Sequence, residues 1–128
     1  PDGLESAHVV TTLVLGAAVA LGHRGAVRLD DVPLHVGILA RPEIARALDS
    51  RYLEPLDSAG EFGRQLLTTL PVWLAHGCRV EDAARALFVH PNTMRHRIRR
   101  AEELLDADLQ HTETRFALWW ALTARRLA

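Results

Sequence analysis

The densest run of chemically capable side chains lies between residues 92 and 100: Asn92, Thr93, Arg95, His96, Arg97, Arg99 and Arg100. On a helix turning about 100° per residue, Met94, Ile98, Ala101 and Leu105 cluster on one side. Asn92, His96, Arg99 and Glu103 point the opposite way, with Arg95 on one flank and Thr93 and Arg100 on the other. The outward face therefore offers amide, hydroxyl, imidazole and guanidinium groups, the types that pair with base edges and phosphates in the major groove of DNA. The first backbone amides of such a helix add donors suited to phosphate. Glu102, Glu103 and Asp106 come later, away from that end. A basic stripe by itself is usually only a solvated face, so the surrounding spacing must decide. Arg97 projects closer to the apolar side and reads as a structural arginine, paired with an acid such as Glu81 or Asp82.

That spacing is informative. Two helices crossing at close quarters need a small residue in the first. Ala84 supplies it, the turn falls four residues later at Phe88, and Val89 follows as an apolar plug. Met94 and Ile98 then pack the second helix on the first. Ala84, Leu87, Val89, Met94 and Ile98 are the expected core of a helix-turn-helix, with a recognition helix over about 91–105. His90 beside Pro91 reads as the residue that opens this helix.

The supporting elements follow from periodicity and breakers. Leu4 to Leu21 reads as a helix apolar nearly all round, hence buried, with Gly22 as its stop. Gly25 to Asp31 is short enough for strand or loop, and Pro33 to Leu39 fits either helix or strand. Pro42 opens a helix to about Tyr52, and Tyr52 to Asp57, broken by Pro55, reads as the approach to a linker. Ser58 or Gly60 starts a helix to about His76, with Leu66, Leu67, Leu70, Trp73 and Leu74 at helical spacing, Pro71 inside it and Gly77 as the stop. Val80 to Leu87 is a second, short helix, and Pro91 to Leu105 a third. Thr112 is the expected cap of a fourth, Glu113 to Leu127. The apolar run Val9 to Leu21 is too short to span a bilayer.

Composition bounds the alternatives. The 128 residues are 48% apolar, enough for a core, and the formal net charge is −1. Residues 1–59 carry 5 Arg and 8 acids, whereas 60–128 carry 10 Arg and 8 acids. All 15 cations are arginine, able to make forked hydrogen bonds. The single cysteine, Cys78, forms no internal disulfide and fits a cytoplasmic setting. The seven histidines, at 8, 23, 35, 76, 90, 96 and 111, include no i, i+4 pair of the helical metal-site type. No catalytic, cofactor or metal site is therefore expected. The chain begins at Pro1 and reads as a piece of a longer protein. The competing class is a protein-interaction module without DNA binding. Phe116, Trp119, Trp120 and Leu127 lie along one side of the last helix, with Leu118 and Leu122 on another, and part of that surface is a candidate dimer contact.

Three runs carry a family resemblance: Leu66–Leu70, Trp73–Gly77, and Ala83 through His90-Pro91-Asn92-Thr93 to Arg97. With Glu102–Leu105, Asp108-Leu109 and Arg115–Leu122, they resemble the C-terminal helix-turn-helix of the PucR family of bacterial transcriptional regulators, the sugar-diacid regulator type included. The resemblance covers roughly 61–124. Residues 1–57 more loosely resemble the end of the cyclase-like, non-catalytic domain that precedes it in such regulators. Three positions depart from the pattern: Pro71 inside a helix, His96 where tyrosine is common, and Asp106 where a glycine often ends the recognition helix. The resemblance implies a mainly α chain: a four-helix, Fis-like DNA-binding domain at 58–128 after a partial, mostly helical segment at 1–57. It implies double-stranded DNA as partner, contacted by Asn92, Thr93, Arg95, His96, Arg99 and Arg100, and a homodimer or higher homo-oligomer. It implies no membrane, no cofactor, and any effector bound by domains outside this chain.

Overall fold

The computed structural model describes the backbone of residues 2–22, 25, 26 and 28–128, and side chains from residue 8 onward within those ranges. Helix α1 (Asp2–Ala20) is followed by a 3-10 turn (Leu29–Asp31), α2 (Pro33–Ala40) and α3 (Pro42–Leu48). A π-helical turn (Asp49–Leu53) leads into α4 (Glu54–Asp57). Then come α5 (Gly60–Ala75), α6 (Val80–Ala86), α7 (Pro91–Leu105) and α8 (Thr112–Leu127). No strand occurs among the described residues, as a mainly α reading requires. Pro33 and Pro42 each open a helix at its first position, where the missing N–H goes unused. Of the segments that periodicity left open, 33–40 is helix and 29–31 is a 3-10 turn; His23, Arg24 and Val27 lie outside the described residues.

The larger core is built by α5, α6, α7 and α8. Leu66, Leu70, Trp73, Ala83, Ala84, Met94, Ile98, Ala101, Leu105, Leu109, Leu118 and Ala121 are buried together. Leu53 and Leu56 belong to the same cluster and are fully buried. The stretch Tyr52–Asp57 is thus not the approach to a linker, despite Pro55. Burying each leucine contributes roughly 1.5–3 kcal/mol relative to exposure, which holds the segment down. Pro55 does no harm because it sits in the first turn of α4. Gly63 makes the close approach possible: a Cβ there would collide with the carbonyl oxygen of Leu56.

α1 departs from its expected full burial. Val14, Ala17 and Ala18 are buried, and Val14 and Ala17 share a small cluster with Val32 and Val36, but Val9, Leu15 and Val19 are exposed, Val19 by 79%. The stripe through Val14 and Ala17 is packed, whereas Val9, Leu15 and Val19 remain open to solvent. No helix of the described residues is long and apolar enough to cross a membrane.

α8 also anchors the segment before α5. Arg125 donates to both carboxylate oxygens of Asp49 at 3.0 Å and to those of Asp57 at 2.9 and 2.8 Å. The hydrogen bond from Arg125 holds the Asp57 carboxyl below the usual carboxylate range, partly offset by desolvation. A lowered carboxylate contributes stability above its unfolded pKa, near about 4, and loses it as pH falls through the folded value. Because Asp57 is more than a third exposed, water screens the pair and its worth stays below about 1 kcal/mol. Asp57→Asn is therefore expected to lower the urea midpoint modestly at pH 7, with the gap to wild type closing toward pH 3. A gap that is constant with pH would show that the carboxylate charge contributes nothing.

Candidate nucleic-acid interface

The candidate interface is built on the end chemistry of three helices. Each stops the same way, with a left-handed residue whose N–H, and that of its successor, turn back onto the last carbonyls. After α5, Gly77 (φ 65°) donates to Leu74 O at 3.1 Å and Cys78 to Trp73 O at 2.8 Å. After α6, Phe88 (φ 57°) donates to Arg85 O at 3.2 Å and Val89 to Ala84 O at 3.0 Å. After α7, Asp106 (φ 47°) donates to Glu103 O at 3.4 Å and Ala107 to Glu102 O at 3.2 Å. Cys78, Val89 and Ala107, the residue after each stop, pack against the larger core. Asp106 thus adopts the conformation that glycine takes most easily. The Arg51 guanidinium adds two bonds there, donating to Leu105 O at 2.6 Å and Asp106 O at 3.1 Å. Those carbonyls form the negative end of the α7 dipole, so a cation is favoured beside them.

α7 begins as expected. His90 is its N-cap, and His90 Nδ1 accepts from the Asn92 N–H at 3.0 Å. Met94, Ile98, Ala101 and Leu105 are buried, as the helical wheel predicts. Ala83 and Ala84 of α6 are buried with them, while Leu87 and Val89 are half-buried against the same cluster.

The opposite face is open. Asn92, Thr93, Arg95, His96 and Arg99 are exposed, and Arg100 is half-buried. Thr93, His96 and Arg99 have no side-chain partner among the described residues. Arg95 is engaged: it donates to Glu81 Oε1 at 2.6 Å and to Asn92 Oδ1 at 2.9 Å. Arg100 bonds Glu103 at 2.6 Å and lies over the Phe62 ring at 5.7 Å.

Two expectations need correction. Arg97 does not pair with Glu81 or Asp82; its Nη1 donates to Thr69 Oγ1 of α5 at 3.2 Å. Glu81 is taken by Arg95, and Asp82 by Arg79 and Arg85 at 2.6 and 3.2 Å. The hydrogen bond from Arg79 holds the Asp82 carboxyl below its ordinary range. At the start of α8, Thr112 lies inside the helix and the N-cap is His111, without a side-chain cap bond. The Arg51 contact went unread in sequence because its partners are backbone carbonyls 54 and 55 residues away.

A short helix crossing a longer one over buried alanines, with a tight turn between and a polar outer face, defines a helix-turn-helix domain. Residues 66–124 match the PucR C-terminal helix-turn-helix domain, and this part of the chain belongs to that family. The chain is 39% identical over 85 residues to the uncharacterized protein in the pkwA 5′ region of Thermomonospora curvata, covering 66% of this chain and 47% of that protein. It is 34% identical over 126 residues to the purine catabolism regulatory protein of Bacillus subtilis, covering 98% of this chain and 22% of that one. It is 35% identical over 80 residues to the carbohydrate diacid regulator of Escherichia coli, covering 62% and 19%. The chain thus spans about half the length of the first of these relatives and about a fifth of the other two. No solved structure matches it.

Phe88 provides a direct check of the turn. Its side chain is 95% exposed, yet its backbone is left-handed, which costs a non-glycine residue roughly 1–2 kcal/mol. Phe88→Gly relieves that strain and loses almost no packing, but gives the unfolded chain more freedom. The expected net gain is about 0.5–1 kcal/mol, read as a Tm a few degrees higher. A lower Tm would mean that the phenyl ring makes packing interactions that outweigh the strain.

Proposed function

We propose that this chain is the DNA-binding part of a bacterial transcriptional regulator, which binds double-stranded DNA sequence-specifically with α7 in the major groove. The observation that carries the reading is the outer face of α7. Thr93, His96 and Arg99 are exposed there and have no side-chain partner among the described residues, beside Asn92 and Arg95, on a helix whose other side is locked into the core. Unengaged donors on a rigid helix are what base and phosphate contacts need. Family membership and the regulator names of two relatives support it.

In this reading Asn92, Thr93, Arg95, His96 and Arg99 contact DNA, with Arg100 on the flank toward phosphate. Ala84, Leu87, Val89, Met94 and Ile98 hold the unit's geometry. Residues 1–57 complete a preceding cyclase-like regulatory domain, and 58–128 bind DNA. Leu53 and Leu56, lent to the later core, join the two parts. Catalysis has no role in this chain, the protein works in the cytoplasm, and any effector is sensed outside residues 1–128. A homodimer would place two copies of α7 on half-sites about 34 Å apart. Phe116, 47% exposed and stacked on Trp119, is the residue of α8 proposed for the dimer contact.

Fluorescence-anisotropy titration of labelled duplex at two salt concentrations tests this. Arg95→Ala with Arg99→Ala is expected to weaken binding and to reduce the salt slope by about one unit for each phosphate that is no longer neutralised. If Arg99 pairs with a guanine, Arg99→Ala alone costs roughly 1–3 kcal/mol and relaxes preference at that base pair. No salt-sensitive binding to any duplex by the folded protein would favour an interaction module instead.

Glu81 supplies an independent test. Its carboxylate holds Arg95 and repels phosphate. Glu81→Gln is therefore expected to strengthen binding to duplexes of any sequence by about two- to fivefold at low salt, the scale of one exposed ion pair. Unchanged or weaker binding would show that the Glu81–Arg95 pair instead positions Arg95 for contact.

A further inference from the structure

A cavity of about 480 Å³ opens between the second half of α5 and the last turns of α8, remote from the outer face of α7. That volume lies within the range of small-molecule sites. Its wall is largely apolar, with Leu67, Pro71 and Ala75 on one side and Trp119 on the other, and Thr123 and Arg126 also line it. Three polar features converge on it. Thr123 is only 5% exposed, and its hydroxyl has no hydrogen-bond partner among the described residues. The side chain is largely covered, but its oxygen keeps some surface at the cavity wall, where a ligand atom can reach it. Arg126 has no ion pair among the described residues, whereas its neighbour Arg125 is saturated by Asp49 and Asp57. Pro71 lies inside α5 and has no N–H, so the Leu67 carbonyl lacks its usual donor four residues on.

We propose that this cavity binds a small aromatic or branched aliphatic carboxylic acid. The apolar body lies between Trp119 and the α5 wall. The carboxylate pairs with Arg126 and accepts a hydrogen bond from the Thr123 hydroxyl. An N–H or O–H on the ligand body donates to the Leu67 carbonyl. A proline in α5 leaves the Leu67 carbonyl without its usual donor while the helix runs on to Ala75. A peptide helix or a second copy of the chain is a poorer occupant, because the wall presents one hydroxyl, Thr123, beside one cation without an ion pair among the described residues, Arg126, which together match a single small carboxylate.

Calorimetric titration of the chain with indole-3-propionate, and with its neutral amide, tests the assignment. The acid is expected to bind saturably at a Kd of about 1 mM or below, and the amide about tenfold more weakly, the scale of one charge-assisted hydrogen bond. Arg126→Gln should bring the acid to the level of the amide. Thr123→Val, close to isosteric, should weaken it several-fold. Ala75→Trp, at an exposed position that lines the cavity, should abolish binding while leaving the thermal unfolding curve intact. The proposal is overturned by absence of binding at the solubility limit, by equal affinity for acid and amide, or by undiminished binding to Ala75→Trp. It is equally overturned if sedimentation shows a dimer that Ala75→Trp dissociates, since the face would then be covered by a second copy.

Discussion

Everything at the outer surface of this domain depends on one apolar stripe, Met94, Ile98, Ala101 and Leu105, being locked against α5 and α6. A helix can rotate about its own axis at little local cost, and only burial of one side fixes which side faces water. Ala83 and Ala84 let α6 approach closely enough to complete that burial. Larger residues would hold the helices apart and leave voids beside Met94. Once the stripe is seated, the direction of Asn92, His96 and Arg99 follows from helical geometry alone.

The helix ends supply the second constraint. α5, α6 and α7 stop with the same hydrogen-bond arrangement, although of the residues that open the three stops only Gly77 is glycine, and Cys78 after it is left-handed as well (φ 61°). The other two, Phe88 and Asp106, accept strain in return for carbonyls that are satisfied and an apolar successor that packs inward. The stop after α6 matters most, because it sets the angle at which α7 departs. The stop after α7 is reinforced by Arg51, so α7 is held at its far end by a segment more than fifty residues earlier.

That segment is the physical join between the two halves of the chain. Leu53 and Leu56 enter the later core, Arg51 caps α7, and Arg125 of α8 grips Asp49 and Asp57. A displacement of residues 49–57 would be transmitted to both ends of the helix-turn-helix unit, since packed interfaces shift as units and do not deform smoothly. The arginines have divided roles. Arg97 and Arg125 hold structure, Arg95 is shared between an acid and the open face, and Arg99 and Arg126 have no partner among the described residues.

The sequence alone determined α7, including both its limits and its buried face. An amphipathic period, a proline at the first position and a small residue four places before the turn are local signals, and local signals survive without tertiary knowledge. The same holds for α5 and α6, and for His90 as the cap of α7. Tertiary structure decided what depends on distant partners. Pro55 suggested a break, but the burial of Leu53 and Leu56 outweighed it. The apolar sequence of α1 suggested complete burial, but Val14, Ala17 and Ala18 are buried while Val9, Leu15 and Val19 stay exposed. Arg97 was recognisable as structural from its place on the wheel, yet its bond to Thr69 depended on how α5 lies across α7. Composition and spacing record what each residue can do; which partner it finds is settled only when helices far apart in the chain pack together.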